Sequence, residues 1–465
     1  MPMRRRDFLR TAGAAGASLA WPGWLGATQA ETSIPLPLAK QVRWQDYELG
    51  LVYHFDLDVY MPGGHHHERS RRERLDPNLY RPTKLDTDQW LEAARAAGAG
   101  YAIFTATHHQ GFLQWQSDVY PFGLKQVKWR GGKADIVRDF VESCHKYGIA
   151  PGIYIGIRFN AYQGVYNYEV NGGKGGDPAQ RLRYMRMCEQ IVEELCSRYG
   201  PLGEIWFDGG VITPEQGGPD VLPIVDKYQS DAVFYHSQER AQHRWAGSET
   251  GTAGYPCFAT MPDVGSQIRA HRDQQQRITL LRHGDPQGKL WCPAMADAPI
   301  REHDWLWIPG TDHRLQSLEK LVEMYYQSVG RNANLILGAV PDADGLIPTA
   351  DFARYAELGR ELRRRLGTPL ARTEGKGFSL ELALPQPARI NHVVIMEDIQ
   401  HGERVRRYRV EGLVPGNTWK SLCDGVSIGH KRIQTFEPAE VTRVRLGVTQ
   451  SLAEPRIRRL AVYRA

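Results

Sequence analysis

Residues 203–210 read Gly-Glu-Ile-Trp-Phe-Asp-Gly-Gly, an apolar run that stops at an acid followed by two glycines. The run predicts a buried strand, and the glycines predict a sharp turn directly after it. In a barrel of parallel strands, an acid in the place of Asp208 lies at the carboxyl end of its strand, where catalytic groups of such barrels collect. The stretch therefore predicts a parallel α/β fold with Asp208 at its functional face, although an acid before a turn can also serve only as a cap.

The segments around this strand repeat the same alternation of short β-type runs and amphipathic helices. Strands are predicted at residues 49–55, 101–105, 151–155 and 232–236, and helices at 86–98, 133–147 and 177–199. No Gly-rich nucleotide fingerprint follows the first strand, which favours a closed barrel over an open nucleotide-binding sheet. After residue 372 the runs alternate polar and apolar residues between turns, as in a β-sandwich. The predicted fold class is α/β, a (β/α)8-like TIM barrel followed by a C-terminal β-sandwich.

The predicted domain boundaries are 1–30 for a targeting segment, 31–370 for the barrel and 371–465 for the sandwich. The first segment contains a twin-arginine pattern at Arg5-Arg6, then a mild apolar stretch and a small-x-small cleavage site at residues 27–30. This arrangement predicts a signal peptide and a periplasmic or secreted location. No later apolar run is long enough to cross a bilayer, so no membrane span is expected.

Charge and composition exclude some classes of function. The 58 Lys and Arg residues nearly balance the 53 Asp and Glu residues, and no basic stripe dominates, so nucleic-acid binding is not expected. The six cysteines include no CxxC pair, which gives no zinc or redox signature. The 12 Trp and 21 Tyr supply aromatic faces of the kind that sugar-binding sites use, although most will belong to the core.

Polar side chains lie at the ends of four predicted strands: His54, the pair His108 and His109, Tyr154, and Asp208. In a barrel these side chains converge on one mouth. Neutral His and Tyr side chains both donate and accept hydrogen bonds, which suits a hydroxyl-rich ligand. Metal binding by His108 and His109 is not expected, because neighbouring residues on a strand point to opposite faces. The sequence therefore predicts no metal and no cofactor.

A single acid is not enough for glycoside hydrolysis, which uses two carboxyl groups on either side of the scissile bond. Asp208 supplies one, and the second should come from a loop at the mouth. Glu249, within Gly-Ser-Glu-Thr-Gly at residues 247–251, is favoured over its competitor Glu239.

The residues near these strand ends resemble a known family. Residues 102–112 read AIFTATHHQGF and are followed by Trp115, which is similar to the TAKHHDGF…W segment of the family 29 α-L-fucosidases. Further matching segments, within about residues 45–366, are 152–154, 206–210, 330–335 and 341–345. The C-terminal part resembles the galactose-binding-like β-sandwich of many bacterial members. The pattern near Glu249 resembles the branch that acts on α-1,3/1,4-linked fucose.

The resemblance implies an exported, retaining α-L-fucosidase whose substrate is a fucosylated oligosaccharide or glycoconjugate. It implies that Asp208 is the nucleophile and Glu249 the acid/base, with a covalent fucosyl-enzyme between the two steps. Partial burial of Glu249 and repulsion from Asp208 would keep Glu249 protonated at the start. The residues implied to bind the sugar or support its pocket are His54, His108, His109, Tyr154, Trp115 and Trp206.

The sequence departs from the family around the mouth. Residues 55–58 read Phe-Asp-Leu-Asp where relatives often have Phe-Gly, residues 156–159 read Gly-Ile-Arg-Phe in place of Ser-Pro-Trp-Asp, and Met295 stands where relatives often carry Glu. The three histidines at residues 65–67 lie in an Arg-rich loop and are interpreted as solvent-exposed rather than as a metal site. Two alternatives follow: the same fold acting on a fucose-like sugar such as a galactoside, or a glycan-binding protein without turnover.

Overall fold

The computed structural model describes residues 34–170, 177–265 and 273–464. The predicted signal peptide, residues 1–30, lies outside the described residues. No helix within these described ranges is long and apolar enough to cross a membrane. The six cysteines are free thiols, and five of them are buried, where they pack as small apolar side chains.

Eight strands form a nearly closed barrel in which all neighbouring strands are parallel. The strands before residue 340 are β1 Leu49–Tyr53, β2 Tyr101–Thr107, β3 Ala150–Ile155, β4 Phe159–Asn160, β5 Val165–Tyr166, β6 Glu169–Val170, β7 Glu204–Val211, β8 Val233–Ser237, β9 Arg244–Trp245, β10 Thr260–Met261, β11 Leu290–Trp291, β12 Ala294–Pro299 and β13 Ala333–Ala339. The barrel order is β8-β7-β3-β2-β1-β13-β12-β9. Between its two end strands, Gln242 N donates to the Phe234 carbonyl at 3.1 Å, and the Gln242 side-chain oxygen accepts from Phe234 N at 2.8 Å. The predicted TIM barrel is confirmed.

Several of the nine helices within the described residues begin or end at capping residues. The nine helices are α1 Ala39–Tyr47, α2 His67–Arg72, α3 Thr87–Ala97, α4 Ile136–Tyr147, α5 Pro178–Arg198, α6 Leu222–Tyr228, α7 Gln274–His283, α8 Leu318–Gln327 and α9 Thr349–Leu366. Asp86 caps α3 by accepting a hydrogen bond from Asp88 N, and Gly98 ends the helix in the left-handed conformation. Asp135 and Gly148 do the same for α4. These caps fix two helices on the outside of the barrel.

Large side chains fill the interior of the barrel. The buried residues of this interior include Trp44, Val52, Tyr101, Ile103, Tyr154, Trp206, Val233, Tyr235, Met295 and Ile336. Glu204 is buried beside them, and its carboxylate accepts from Trp44 Nε1 at 2.7 Å and lies 2.8 Å from His243 Nε2. Because side chains alternate along a strand, Glu204, Trp206 and Asp208 share one face of β7, and Asp208 lies nearest the mouth.

The C-terminal part is an antiparallel sheet. Its strands are β14 Ala371–Lys376, β15 Ser379–Glu397, β16 Val405–Val414, β17 Thr418–Gly425, β18 Arg432–Ser451 and β19 Arg456–Tyr463, in the order β14-β19-β15-β18-β16-β17. The long strands β15 and β18 shift register between Ala383 and Ala388 and again after Ile390. Such irregularities bend a sheet, and this one encloses an apolar core of its own that includes Val410, Val444 and Leu460. This arrangement is the β-sandwich that the sequence predicts.

The barrel and the sandwich meet at a half-buried carboxylate, Glu48, which lies between α1 and β1. Lys431 and His430 of the sandwich and the Tyr325 hydroxyl of α8 all contact it. Burial alone would raise the pKa of Glu48, but the positive charge of Lys431 and the hydrogen bond from His430 hold it well below its usual range. A second link joins Asn332 to Glu403. The two parts therefore share polar contacts that neither could complete alone.

Candidate active site

A cavity of about 420 Å³ lies at the mouth of the barrel. Four acids line it, Glu169, Asp208, Glu249 and Asp297. Aromatic and basic side chains also line the cavity, among them Trp206, Tyr235, Trp245, Arg158, Arg181 and Arg277. A concave site with aromatic walls and a few convergent polar groups is the usual form of a small-ligand site.

Asp208 reaches the cavity because β7 loses its pairing at this point. β7 pairs with β3 and β8 as far as Trp206, after which its register with β8 shifts. Gly209 and Gly210 follow with φ of 68° and 80°, a conformation that favours glycine. Asp208 is exposed to the cavity, whereas the four strand residues before it are buried. Burial, the charge of Asp208 and a hydrogen bond to that carboxylate raise the pKa of Tyr154. The Tyr154 hydroxyl therefore stays protonated and donates a hydrogen bond to Asp208.

Three buried histidines form a cluster beside Tyr154. The His54 ring lies 5.9 Å from Tyr154 and 5.7 Å from His108, which in turn stacks on His109 at 3.9 Å. Burial lowers the pKa of all three, that of His108 to about 3. The imidazoles are therefore neutral at neutral pH. Their Nδ1 atoms have no hydrogen-bond partner within the described part of the chain, so each can bind a polar group of a ligand.

The expectation that His108 and His109 point to opposite faces is wrong. β2 ends at Thr107, so the pair lies in the turn after the strand, where the alternation of strand side chains no longer applies. Asp58 lies beside them, and the three residues bring possible ligand atoms within 4.8 Å of one another. One carboxylate and two imidazoles are a donor set that a divalent cation accepts. The geometric argument against a metal at this pair therefore fails.

Two buried acids, Asp56 and Asp58, lie beside this histidine pair. Asp58 Oδ2 is 3.6 Å from His108 Nδ1 and also accepts a hydrogen bond from the Ser70 hydroxyl. Burial raises the pKa of both acids, and the charge of Asp58 adds to the effect on Asp56. The departure at residues 55–58 thus places two acids in contact with the histidines.

The three histidines at residues 65–67 reach the same cluster. His66 and His67 are exposed, as expected, but His65 is half-buried. The ring of His67 lies 4.9 Å from that of His109. The loop therefore covers one side of the histidine cluster and is not a detached surface feature.

The structure brings Glu249 to the cavity of Asp208, whereas Glu239 lines a different cavity together with Leu36 and Gln41. One carboxylate oxygen of Glu249 accepts a hydrogen bond from Trp305 Nε1 at 2.9 Å. The side chain is exposed, which differs from the partial burial expected of it. Its loop follows β9, Arg244–Trp245.

Asp297 is a further carboxyl in the cavity, and the sequence does not predict it. It lies in β12, is buried, and accepts from Trp245 Nε1 at 2.7 Å. Burial raises its pKa well above the usual range, despite the hydrogen bond from Trp245, and the charges of Glu249 and Asp208 raise it further. Burial therefore favours the protonated form of Asp297 more than it would be favoured in an exposed aspartate. The alternation of strand side chains could have predicted this position. Met295 faces the barrel interior, and Asp297, two residues later on the same strand, faces the same way and lies one layer nearer the mouth.

The two predicted tryptophans occupy different environments. Trp206 lines the cavity, and its Nε1 has no hydrogen-bond partner among the residues that the structure describes. Trp115 is fully buried outside the cavity, and its Nε1 donates to Glu194 of α5 at 2.7 Å. The Trp115 indole packs the loop after β2 against α5, and its role at the sugar pocket stays a prediction.

Comparison with known proteins gives consistent matches. A family model described as Alpha-L-fucosidase matches residues 39–365. The crystal structure of a candidate α-L-fucosidase from Bacteroides thetaiotaomicron VPI-5482 shares 47% sequence identity at a TM-score of 0.89, over 93% of this chain and 100% of that chain. A glycoside hydrolase 29 family member from an unknown rumen bacterium shares 28% identity at a TM-score of 0.78, over 93% and 77%. A candidate α-L-fucosidase 1 from Oryza sativa subsp. japonica is 29% identical over 92% of this chain and 85% of that protein.

Proposed function

Because the chain belongs to the α-L-fucosidase family, glycoside hydrolase family 29, we propose that it is an exported, retaining α-L-fucosidase. It releases terminal α-linked L-fucose from glycans by double displacement through a covalent fucosyl-enzyme. The observation that carries the proposal is that Asp208 and Glu249 line one cavity at the barrel mouth. A retaining enzyme needs two such carboxyls about 5–5.5 Å apart.

In the first step the Asp208 carboxylate attacks the anomeric carbon while Glu249 gives its proton to the departing glycosidic oxygen. The second carboxyl then accepts a proton from water, which attacks the same carbon and releases fucose with its original configuration. Tyr154 holds Asp208 by a hydrogen bond. This bond orients the nucleophile without removing its charge.

The neutral histidines suit recognition of the sugar. His54, His108 and His109 each have an unpartnered Nδ1 among the described residues, and a neutral imidazole can donate to one hydroxyl and accept from another. Trp206 supplies an aromatic face at the floor of the cavity. Since these imidazoles carry no charge at neutral pH, they bind an uncharged sugar without the cost of a buried ion.

The test is hydrolysis of an aryl α-L-fucoside by the wild type, Asp208→Asn and Asp208→Ala, with Asp231→Asn as a control at an exposed acid outside the cavity. Both Asp208 variants should lose turnover, and the control should keep it. A 2-deoxy-2-fluoro-fucosyl fluoride should lose its anomeric fluoride and add the mass of the fluorofucosyl group to a peptide that contains Asp208. The anomer of fucose first released should be α by NMR. Normal turnover by Asp208→Asn would refute the assignment.

Glu249 and Asp297 compete for the role of acid/base. The exposed loop position and the resemblance of residues 247–251 favour Glu249, whereas the raised pKa of Asp297 favours that residue. Azide should restore turnover of an activated aryl fucoside by Glu249→Ala, because only proton transfer is lost. Rescue of Asp297→Ala but not of Glu249→Ala would reverse the two assignments.

The proposed substrate is a glycan with fucose linked α-1,3 or α-1,4. The resemblance of residues 247–251 to the branch that acts on these linkages supports this proposal. The alternative is a fucose-like sugar, since residues 55–58 and 156–159 differ from the family pattern. Aryl α-L-fucoside, α-L-galactoside and β-D-galactoside should be compared by kcat/KM. A higher value for either galactoside than for the fucoside would support the alternative.

Export is proposed from the twin-arginine pattern at Arg5-Arg6. Replacing both residues by Lys keeps the charge but removes the motif. The double variant should remain in the cytoplasm of a bacterial host, whereas the wild type should appear in the periplasm or medium. An equal distribution of both forms would contradict the proposal.

A further inference from the structure

Two acids, Asp56 and Asp58, are buried beside the histidine pair, and their exposed fractions are 1% and 0%. Among the described residues, the only basic group within 4.0 Å of either acid is the His108 ring. Buried carboxylates in proteins are paired with a charged side chain or bound to a metal. A positive partner is therefore expected here, and the described chain does not supply it as a lysine or an arginine.

The histidine pair offers nitrogen atoms that can bind such a partner. The Nδ1 atoms of His108 and His109 have no hydrogen-bond partner within the described ranges, although the two residues are only 6% and 4% exposed. Their rings stack with centroids 3.9 Å apart. Since a buried polar atom normally has a partner, two neighbouring nitrogens of this kind indicate a ligand that binds beside them.

The spacing of the atoms fits a metal ion better than a hydrogen bond. Asp58 Oδ2 and His108 Nδ1 are 3.6 Å apart, which is too long for a hydrogen bond. Two ligand atoms on a tetrahedral zinc ion, with bonds of about 2.1 Å, lie about 3.4 Å apart. The possible ligand atoms of Asp58, His108 and His109 all lie within 4.8 Å of one another, so the third ligand has to move by at most about 1.4 Å. Rotation of an imidazole covers that distance.

Asp56 and Ser70 hold the carboxylate of Asp58 in place. The Ser70 hydroxyl donates to Asp58 Oδ2, and Asp56 Oδ1 accepts from Asp58 N at 2.8 Å. Asp56 Oδ2 lies 4.0 Å from His108 Nδ1 and has no hydrogen-bond partner among the residues described. Supporting contacts of this kind orient the ligands of a metal, and a second carboxylate balances the second charge of a divalent cation.

The loop at residues 65–67 provides a route from the solvent. His67 is exposed, and its ring lies 4.9 Å from that of His109. His65 is half-buried, and its ring lies 6.0 Å from that of His67. Imidazole is the commonest metal ligand among side chains, so this run can capture a cation at the surface and pass it to the buried cluster.

We propose that Asp58, His108 and His109 form a binding site for a divalent transition metal, best matched by zinc, with a fourth position open to water. Two imidazoles and one carboxylate are a common ligand set for zinc, whereas Mg²⁺ and Ca²⁺ prefer oxygen ligands. The effect on catalysis rests on the proposed function, which assigns the same two imidazoles to the sugar. Zinc and fucose therefore exclude each other, and zinc acts as a reversible competitive inhibitor.

The first test measures zinc directly and needs no substrate. After treatment with EDTA and dialysis, calorimetry on the full chain should show one tight site for Zn²⁺ and none for Mg²⁺. In a crystal soaked with zinc, anomalous density should lie among Asp58, His108 and His109. Absence of a tight site, or zinc density only elsewhere, would overturn the proposal.

Variants locate the site. Asp58→Asn and His109→Gln each remove one ligand, so the Kd for zinc should rise by about a hundredfold. His145→Gln removes an exposed histidine of α4 and should leave the Kd unchanged. Circular dichroism checks that the site variants are folded, and the zinc-soaked wild-type crystal decides the question if either is not. A wild-type Kd in folded Asp58→Asn would contradict the assignment.

Kinetics test the consequence for the proposed function. With an aryl α-L-fucoside, zinc at about ten times its Kd should raise the apparent KM about tenfold and leave kcat unchanged. EDTA should reverse the effect. An unchanged KM with zinc bound would refute the shared site. If no fucoside is hydrolysed at all, the proposed function fails, whereas calorimetry and the soaked crystal still decide whether the cluster binds zinc.

Discussion

Gly210 is the residue at which backbone conformation and site geometry depend most directly on each other. Its φ is 80°, and an added Cβ would meet the buried His236 ring at 2.7 Å. We expect Gly210→Ala to destabilise the protein by more than the roughly 1–2 kcal/mol of left-handed strain and to lower kcat. Gly217→Ala is the matched control, since its φ is 73° but its nearest neighbour would be Arg181 Nη2 at 3.4 Å. Urea unfolding should show the larger loss at Gly210, and equal losses would contradict this account.

His236 should make stability depend on pH. Its folded pKa of about 3 lies below its ordinary value of 6.5, so the unfolded chain binds a proton that the folded chain refuses. The stabilisation is complete above pH 6.5 and is lost as the pH falls toward 3, by about 1.4 kcal/mol per pH unit. In His236→Gln the free energy of unfolding should fall less between pH 6 and pH 4 than in the wild type. Identical slopes in both proteins would show that His236 titrates normally.

The residues of the candidate site differ in how much sequence alone reveals. Asp208 and His54 follow apolar runs, so strand position predicts where they lie. Asp297 is hidden inside an apolar strand, and only the inward direction of Met295 points to it. Trp115 shows the reverse: its motif is clear, but the hydrogen bond to Glu194 that fixes its place depends on how α5 packs. A contact between distant segments leaves no local pattern in a sequence.

At the scale of elements, the loop after β2 is anchored on α5 by the Trp115 indole. Trp115→Phe removes a buried donor to a carboxylate and should lower stability by about 2 kcal/mol, with KM for an aryl fucoside unchanged. Trp206→Phe, in the cavity lining, should instead raise KM. Thermal unfolding and initial rates measure both effects. A raised KM in Trp115→Phe would show that Trp115 contributes to substrate binding.

The elements that the sequence predicts well are those with caps. The helix expected at residues 86–98 is α3, Thr87–Ala97, because Asp86 and Gly98 mark its ends. Residues 238–288 contain β9, β10 and α7, where the sequence predicts neither strand nor helix. β9 and β10 have two residues each, too few for a period to be seen, and α7 buries only Leu281. Their conformation follows from the barrel around them and not from their own pattern.

At the scale of the whole molecule, the carboxylate of Glu48 joins the two parts of the fold. Lys431→Met would leave this carboxylate without its main positive partner and should lower stability by about 3 kcal/mol. Lys420→Met, at an exposed position of β17, should change little. Because the pKa of Glu48 is lowered, the difference between wild type and Lys431→Met should be full above about pH 4.5 and shrink below it. Recovery of stability in the double variant with Glu48→Gln would confirm the cause.

The position of Glu48 along the chain also bears on the order of synthesis. The ribosome adds residue 48 long before residue 431. While the barrel is being synthesised, Glu48 therefore lacks the positive charge of Lys431. Burial of that acid is costly until then. We therefore expect the pairing of β1 with β13 to stay incomplete during translation. Chaperones would bind the chain in this partly folded state. The segment that carries His430 and Lys431 then supplies the partners that Glu48 needs, so its docking is expected to complete the folding of the barrel.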